Sequence, residues 1–88
     1  MTTVSLRKKQ VRNGLAYLPN ETKPFTGVFV GWHDNGRKWS EENYKYGKED
    51  GTHALWYRNG QKVSEGNYKD GKKDGTHTVW YDNGQKKS

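Results

Sequence analysis

The stretch Trp56-Tyr57-Arg58-Asn59-Gly60-Gln61-Lys62-Val63-Ser64-Glu65-Gly66-Asn67-Tyr68-Lys69-Asp70-Gly71-Lys72-Lys73-Asp74-Gly75 decides the fold. The residues that lead into it, Thr52-His53-Ala54-Leu55, are of the aromatic, aliphatic and β-branched kind that favours an extended strand. Asn59-Gly60 is the strongest two-residue turn signal, because both positions of a type I′ turn need positive φ. The chain then returns through Gln61 to Lys69. A looser turn from Asp70 to Gly75 leads onward, rich in the glycine and aspartate that reversals use. Nothing here has helical spacing.

Counting outward from a two-residue loop at Asn59-Gly60 sets Arg58 against Gln61, Tyr57 against Lys62, Trp56 against Val63, Ala54 against Glu65 and His53 against Gly66. Counting from a loop at Asp70–Gly75 sets Tyr68 against His77 and Asn67 against Thr78. Alternation then yields two faces. One carries Val28, Val30, Trp32, Trp39, Ala54, Trp56, Val63, Glu65, Thr78 and Trp80. The other carries Phe29, His33, Tyr44, His53, Leu55, Tyr57, Ser64, Tyr68, His77, Val79 and Tyr81. Rings on both faces leave aromatic surface open, and open aromatic surface marks interaction sites. Most of the rings hold the sheet together by cross-strand packing; the surplus forms the candidate site.

The same pattern recurs every 24 residues. Trp32, Trp56 and Trp80 are equally spaced, as are Asn35-Gly36, Asn59-Gly60 and Asn83-Gly84, and Ser40, Ser64 and Ser88. Between residues 32–55 and 56–79, 15 of 24 positions are identical, so the period is structural rather than compositional. Such a period means stacked units that bury their apolar faces against neighbours. The expected architecture is all-β, an antiparallel meander of β-hairpins in one elongated, twisted sheet. Residues 1–14 form a basic N-terminal arm, 15–26 a degenerate capping unit with a loop at Pro19–Pro24, and 27–88 the repeats, the last of them incomplete. Lys86 and Lys87 either blunt the final edge or precede further repeats.

Composition bounds the function. At 88 residues the chain is one domain, 28% hydrophobic but 14% aromatic, so large rings supply the burial. The absence of cysteine excludes disulfides and thiolate chemistry. No run of apolar residues is long enough to span a bilayer, and the start lacks the apolar stretch of a signal peptide, so a cytoplasmic location is expected. Of the net charge of +6, +4 comes from Arg7, Lys8, Lys9 and Arg12 in the first fourteen residues. That cluster could attach nucleic acid or an anionic membrane surface; the plainer reading is a solvated leader or a charge-protected edge strand.

The residues that could do chemistry point away from catalysis. His53 and His77 are repeat equivalents about 9–10 Å apart across two strands, too far to share a zinc ion that needs ligands about 2 Å away. Asp50 and Asp74 are turn residues beside glycine. Serines 40, 64 and 88 recur by repetition, with nothing to mark a nucleophile. Gly71-Lys72-Lys73-Asp74-Gly75 lacks the spacing and the helix of a phosphate loop. No enzyme activity, metal or cofactor is expected.

The repeat, Trp56-Tyr57-Arg58-Asn59-Gly60-Gln61-Lys62 followed by Asn67-Tyr68-Lys69-Asp70-Gly71-Lys72-Lys73-Asp74-Gly75, resembles the variant MORN repeat of bacterial proteins over residues 25–88. With Gly14-Leu15-Ala16-Tyr17-Leu18 and Pro24-Phe25-Thr26-Gly27, the chain is similar to the YwqK-like antitoxin family. That resemblance implies elongated hairpin stacks that bind partners, and for the antitoxin family the neutralisation of a cognate toxin. Two positions depart from the pattern: His33 stands where Tyr57 and Tyr81 do, and Trp39 replaces a less bulky residue. The expected function is a protein-binding module, an antitoxin or immunity protein acting by surface occlusion. Its anchors would be Trp32, Trp39, Trp56 and Trp80, with His33, Tyr57 and Tyr81 beside them. The alternatives are membrane-surface or nucleic-acid attachment through the basic arm, and homo-oligomerisation through a strand edge or the aromatic face.

Overall fold

Trp56 stands opposite Lys62, not Val63, and the same one-residue displacement sets Trp32 opposite Lys38 and Trp80 opposite Lys86. The computed structural model describes residues 2–87; Met1 and Ser88, the third serine of the repeated series, lie outside the described residues. The elements are β1 (Thr3–Ser5), a 3-10 turn (Leu6–Lys8), β2 (Gln10–Arg12), β3 (Leu15–Tyr17), β4 (Gly27–Trp32), β5 (Lys38–Lys45), β6 (Lys48–Trp56), β7 (Lys62–Lys69) and β8 (Lys72–Val79). The described residues include no α-helix. Strands β4 to β8 run as an antiparallel meander in an open six-stranded sheet of order β1-β4-β5-β6-β7-β8. The principal extents are 42 × 31 × 21 Å. The all-β hairpin meander is therefore as the sequence implies, with two additions. Strand β1 pairs in parallel with β4, Val4 opposite Phe29, and β2 and β3 form a separate antiparallel hairpin.

The two kinds of turn exchange the roles expected of them. At Asn59-Gly60 only the glycine has positive φ, 89°. Gly60 N–H donates to the Tyr57 carbonyl and Tyr57 N–H to the Gln61 carbonyl, so Arg58, Asn59 and Gly60 make a three-residue loop. This is a type I turn followed by a left-handed glycine bulge. The Asn59 side chain holds it by accepting from Gln61 N–H at 2.9 Å. The two-residue turns with paired positive φ lie instead at Asp70-Gly71 (50° and 84°), Tyr46-Gly47 (51° and 82°) and Asn13-Gly14 (52° and 77°). Lys69 consequently faces Lys72, Tyr68 faces Lys73 and Asn67 faces Asp74; the expected partners His77 and Thr78 lie further along the strand. The surplus residues of β8 are absorbed where the register shifts between Glu65 and Asn67.

A bulge follows the loops at Asn35-Gly36 and Asn59-Gly60. Gly31 pairs with Ser40 but Trp32 with Lys38, so Trp39 and Ser40 both stand opposite Gly31. A Cβ placed on Gly31 would lie 3.5 Å from the Ser40 Cβ and equally close to the Trp39 ring. Trp39 thus turns to the Ser40 face and leaves the face of Trp32, contrary to strict alternation, because two consecutive residues of a bulge share one partner.

The core sits at the first repeat. Phe29 is wholly buried, with Phe25 and Ala16 against it and Val4, Leu6, Leu18 and Tyr44 around them. The Phe25 and Phe29 ring centroids are 4.3 Å apart, and Tyr44 meets Phe29 edge-on at 5.5 Å. Backbone bonds fasten the β2–β3 hairpin over this cluster: Ala16 N–H donates to the Gly47 carbonyl, Phe25 N–H to the Ala16 carbonyl and Gly47 N–H to the Phe25 carbonyl. Phe29→Ala should lower the unfolding free energy by roughly 3–5 kcal/mol, read as a shift of the urea midpoint. Tyr46, 70% exposed in a left-handed conformation that suits asparagine better, should gain about 1 kcal/mol in urea unfolding on Tyr46→Asn.

Candidate functional site

The bulges create an alternating stripe. Trp32 pairs with Lys38, Trp56 with Lys62, and Trp80 with Lys86 through an isolated bridge. Read across β4 to β8 and the segment after it, tryptophan and lysine succeed one another. The Lys38 and Lys62 ammonium groups stand 5.4 and 5.9 Å from the Trp56 ring centroid, within cation–π reach. Each lysine is also fixed along its own strand: Lys38 to Glu41 at 2.8 Å, Lys62 to Glu65 at 2.7 Å. A three-residue spacing would put the members of each pair on opposite faces of a regular strand. The bulge brings them together. Between the two glutamates lies Ala54, paired with both and buried. Trp32 is 57% exposed, whereas Trp56 and Trp80 are half-buried.

Consecutive turns are tied by a second row. His33 Nε2 donates to the Trp56 carbonyl at 2.8 Å, and Tyr57, its repeat equivalent, donates its hydroxyl to the Trp80 carbonyl at 2.9 Å. Asn35 donates to the Arg58 carbonyl and Asn59 to the Asp82 carbonyl; Arg58 also pairs with Asp34. A histidine with its proton on Nε2 does what the tyrosine hydroxyl does, so His33 preserves the repeat contact. His33 and Tyr57 therefore have structural occupation, while Tyr81 is exposed.

The model of the MORN repeat variant matches residues 25–46, 49–70 and 73–88. The chain belongs to the MORN repeat variant family. MORN repeats are binding modules for proteins and membranes rather than enzymes. No match to the chain was found among curated proteins or solved structures.

Against the MORN sheet, the basic N-terminal residues divide into two pairs. Lys9 donates to Glu42 Oε1 at 2.9 Å and to the Tyr44 hydroxyl at 3.3 Å. Arg12 donates to the Glu21 carbonyl at 2.7 Å and lies over the Tyr17 ring. Arg7 and Lys8 remain exposed. Lys9 belongs to a polar cluster on the core face, in which Tyr44 donates to Glu42 at 3.2 Å and His53 Nδ1 meets Glu49 at 2.6 Å. Ligand atoms of Glu42, Glu49 and His53 lie within 4.8 Å of one another, so these three residues could approach one cation. Lys9 already supplies a positive charge to Glu42, and Glu49 is engaged by His53. The bond to Glu49 raises the His53 pKa above 6.5 against the opposing effect of burial; burial, then the charges of Glu42 and Glu49, push the Tyr44 phenol up. His77 lies elsewhere, over Gly66.

The four tryptophans do not form one site: Trp32, Trp56 and Trp80 share the stripe, and Trp39 leaves it at the bulge, meeting only Trp32 of the three, at the lining of a separate groove. Sequence reasoning placed Glu65 on the tryptophan face but missed Lys38, Glu41 and Lys62, although their signal was present. Lys38 and Glu41 recur as Lys62 and Glu65, a spacing that makes sense only with a bulge between. Tyr57→Phe should cost about 1 kcal/mol in urea unfolding by removing one contact between repeats. Because the His53 pKa is raised in the folded state, the stability contributed by its pairing with Glu49 is complete below about pH 6.5 and is lost as pH rises through the folded value. Subtracting the pH–stability curve of Glu49→Gln from that of the wild type should isolate this loss.

Proposed function

We propose that this chain is a protein-binding module that neutralises a cognate toxin, as an antitoxin or immunity protein, by covering part of the toxin's surface in the cytoplasm. The observation that carries the reading is the tryptophan–lysine stripe. Its rings are spread across one sheet face, partly open to solvent, the central one, Trp56, flanked by a lysine on either side, and charge rims the face. Interfaces use this combination, since rigid aromatic anchors lose little entropy on docking and a polar rim excludes water around them. An ordinary interface covers about 800 Å² on each partner, and a sheet within an envelope 42 × 31 Å across can offer that area. Attachment to an anionic membrane or to nucleic acid through the basic arm has less to draw on, since Lys9 and Arg12 make internal contacts and only Arg7 and Lys8 remain exposed.

Affinity capture of the tagged chain from its native cells at moderate salt, followed by mass spectrometry, tests the reading. One stoichiometric protein whose growth-arresting activity is suppressed by this chain is the expected result. Recovery of lipid, nucleic acid or the chain alone would overturn it. Trp56→Ala, in a variant that still folds by circular dichroism, should weaken partner binding at least about tenfold by calorimetry.

A further inference from the structure

The first repeat departs from its successors at two positions that together shape a groove. Gly31 occupies the place of Leu55 and Val79, and Trp39 the place of Val63 and Lys87. Without a side chain at Gly31, Leu6 of the 3-10 turn descends onto the sheet: a Cβ there would lie 3.3 Å from the Leu6 Cδ2. The result is a cavity of about 330 Å³ lined by Ser5, Leu6, Arg7, Gly31, Trp32 and Trp39, large enough for one bulky side chain and part of a backbone. Its walls are apolar, and both tryptophans keep substantial exposure, 57% for Trp32 and 38% for Trp39. Repeat architecture does not demand this, since the equivalent positions of the second repeat carry leucine and valine. Arg7 supplies the only charge in the lining, and it takes part in no side-chain ion pair among the described residues.

We infer that this groove binds an acidic, extended peptide segment of a protein partner, one aliphatic side chain lodging against Trp32 and Trp39 while a neighbouring carboxylate pairs with Arg7. The inference rests on the protein-binding reading and adds the chemistry of the bound segment. Charge complementarity sets its sign: a lone guanidinium on an apolar rim favours a carboxylate, which it can grip through two hydrogen bonds, and disfavours a lysine. The tryptophan rings give the aliphatic side chain a rigid surface at low entropic cost.

The test uses the full chain labelled with nitrogen-15 and two blocked pentapeptides, Asp-Asp-Leu-Asp-Asp and Lys-Lys-Leu-Lys-Lys, titrated to millimolar concentration. The four indole N–H resonances are the readout. The acidic peptide should move the Trp32 and Trp39 signals and leave Trp80 in place, with the lysine peptide at least about tenfold weaker. Arg7→Glu should reverse that preference. Trp39→Val, which installs the residue of the second repeat, should abolish the Trp32 shift without unfolding the chain. Failure of Trp32 and Trp39 to move, equal response to both peptides, or movement confined to Trp56 and Trp80 would overturn the inference. So would shifts that track protein concentration without peptide, which would assign the groove to a second copy. Any of these leaves the capture of a toxin partner untouched, so the two readings fail separately.

Discussion

A one-residue bulge beside the Asn35-Gly36 and Asn59-Gly60 turns is the constraint on which the rest depends. It lets Lys38 and Lys62 share a face with Glu41 and Glu65, sets each lysine opposite a tryptophan, and takes Trp39 out of the stripe. In a sheet with little aliphatic material, lysine methylenes and indole rings provide cover that leucine and valine would supply elsewhere, while the ammonium groups stay in contact with water. Buried Ala54 beneath that layer shows how thin it is.

Stability is therefore distributed unevenly. The first repeat has a true core around Phe29, closed by the β2–β3 hairpin and the loop that ends at Phe25. Later repeats rely on their turn bonds, ion pairs, cation–π contacts, the buried Ala54 and the half-buried Leu55, Val63 and Val79. Strand β1 lies along the edge of β4 where another hairpin strand would otherwise pair, but runs parallel to it. The three residues of β1 therefore form that edge of the sheet and reverse the alternation of strand direction there.

Much of this was legible in the sequence. The 24-residue period, the all-β meander and the identity of the turn residues follow from glycine, asparagine and aromatic spacing. The turn types did not, because Asn-Gly serves both a two-residue loop and a three-residue loop ending in a left-handed glycine, and the choice rests on whether asparagine takes positive φ. Here Asn59 does not, since its side chain caps Gln61 N–H. Tyr46-Gly47 gave little sign of a type I′ turn, because tyrosine adopts positive φ reluctantly and does so where Thr26 Oγ1 accepts the Tyr46 N–H. The three-residue loop displaces the pairing by one residue and the bulge restores it, so the assignment was sound beyond the bulge, at Ala54 and His53, and failed at the bulge itself, at Val63 and Trp39. The Lys9–Glu42 and Arg12–Glu21 contacts span 33 and 9 residues, and no local pattern announces them.

The bond from Ala16 to the Gly47 carbonyl has a consequence for the order in which the chain acquires structure during synthesis. Residues of the cap leave the ribosome before any strand exists for them to cover, and their apolar side chains have no seat until the β4–β5 hairpin and the turn at Gly47 have followed. The earliest cooperative unit is thus the cap plus the first hairpin, about half of the chain, rather than a single repeat. Every later hairpin meets a finished edge and can join it through contacts close in sequence, a low-contact-order step that proceeds fast.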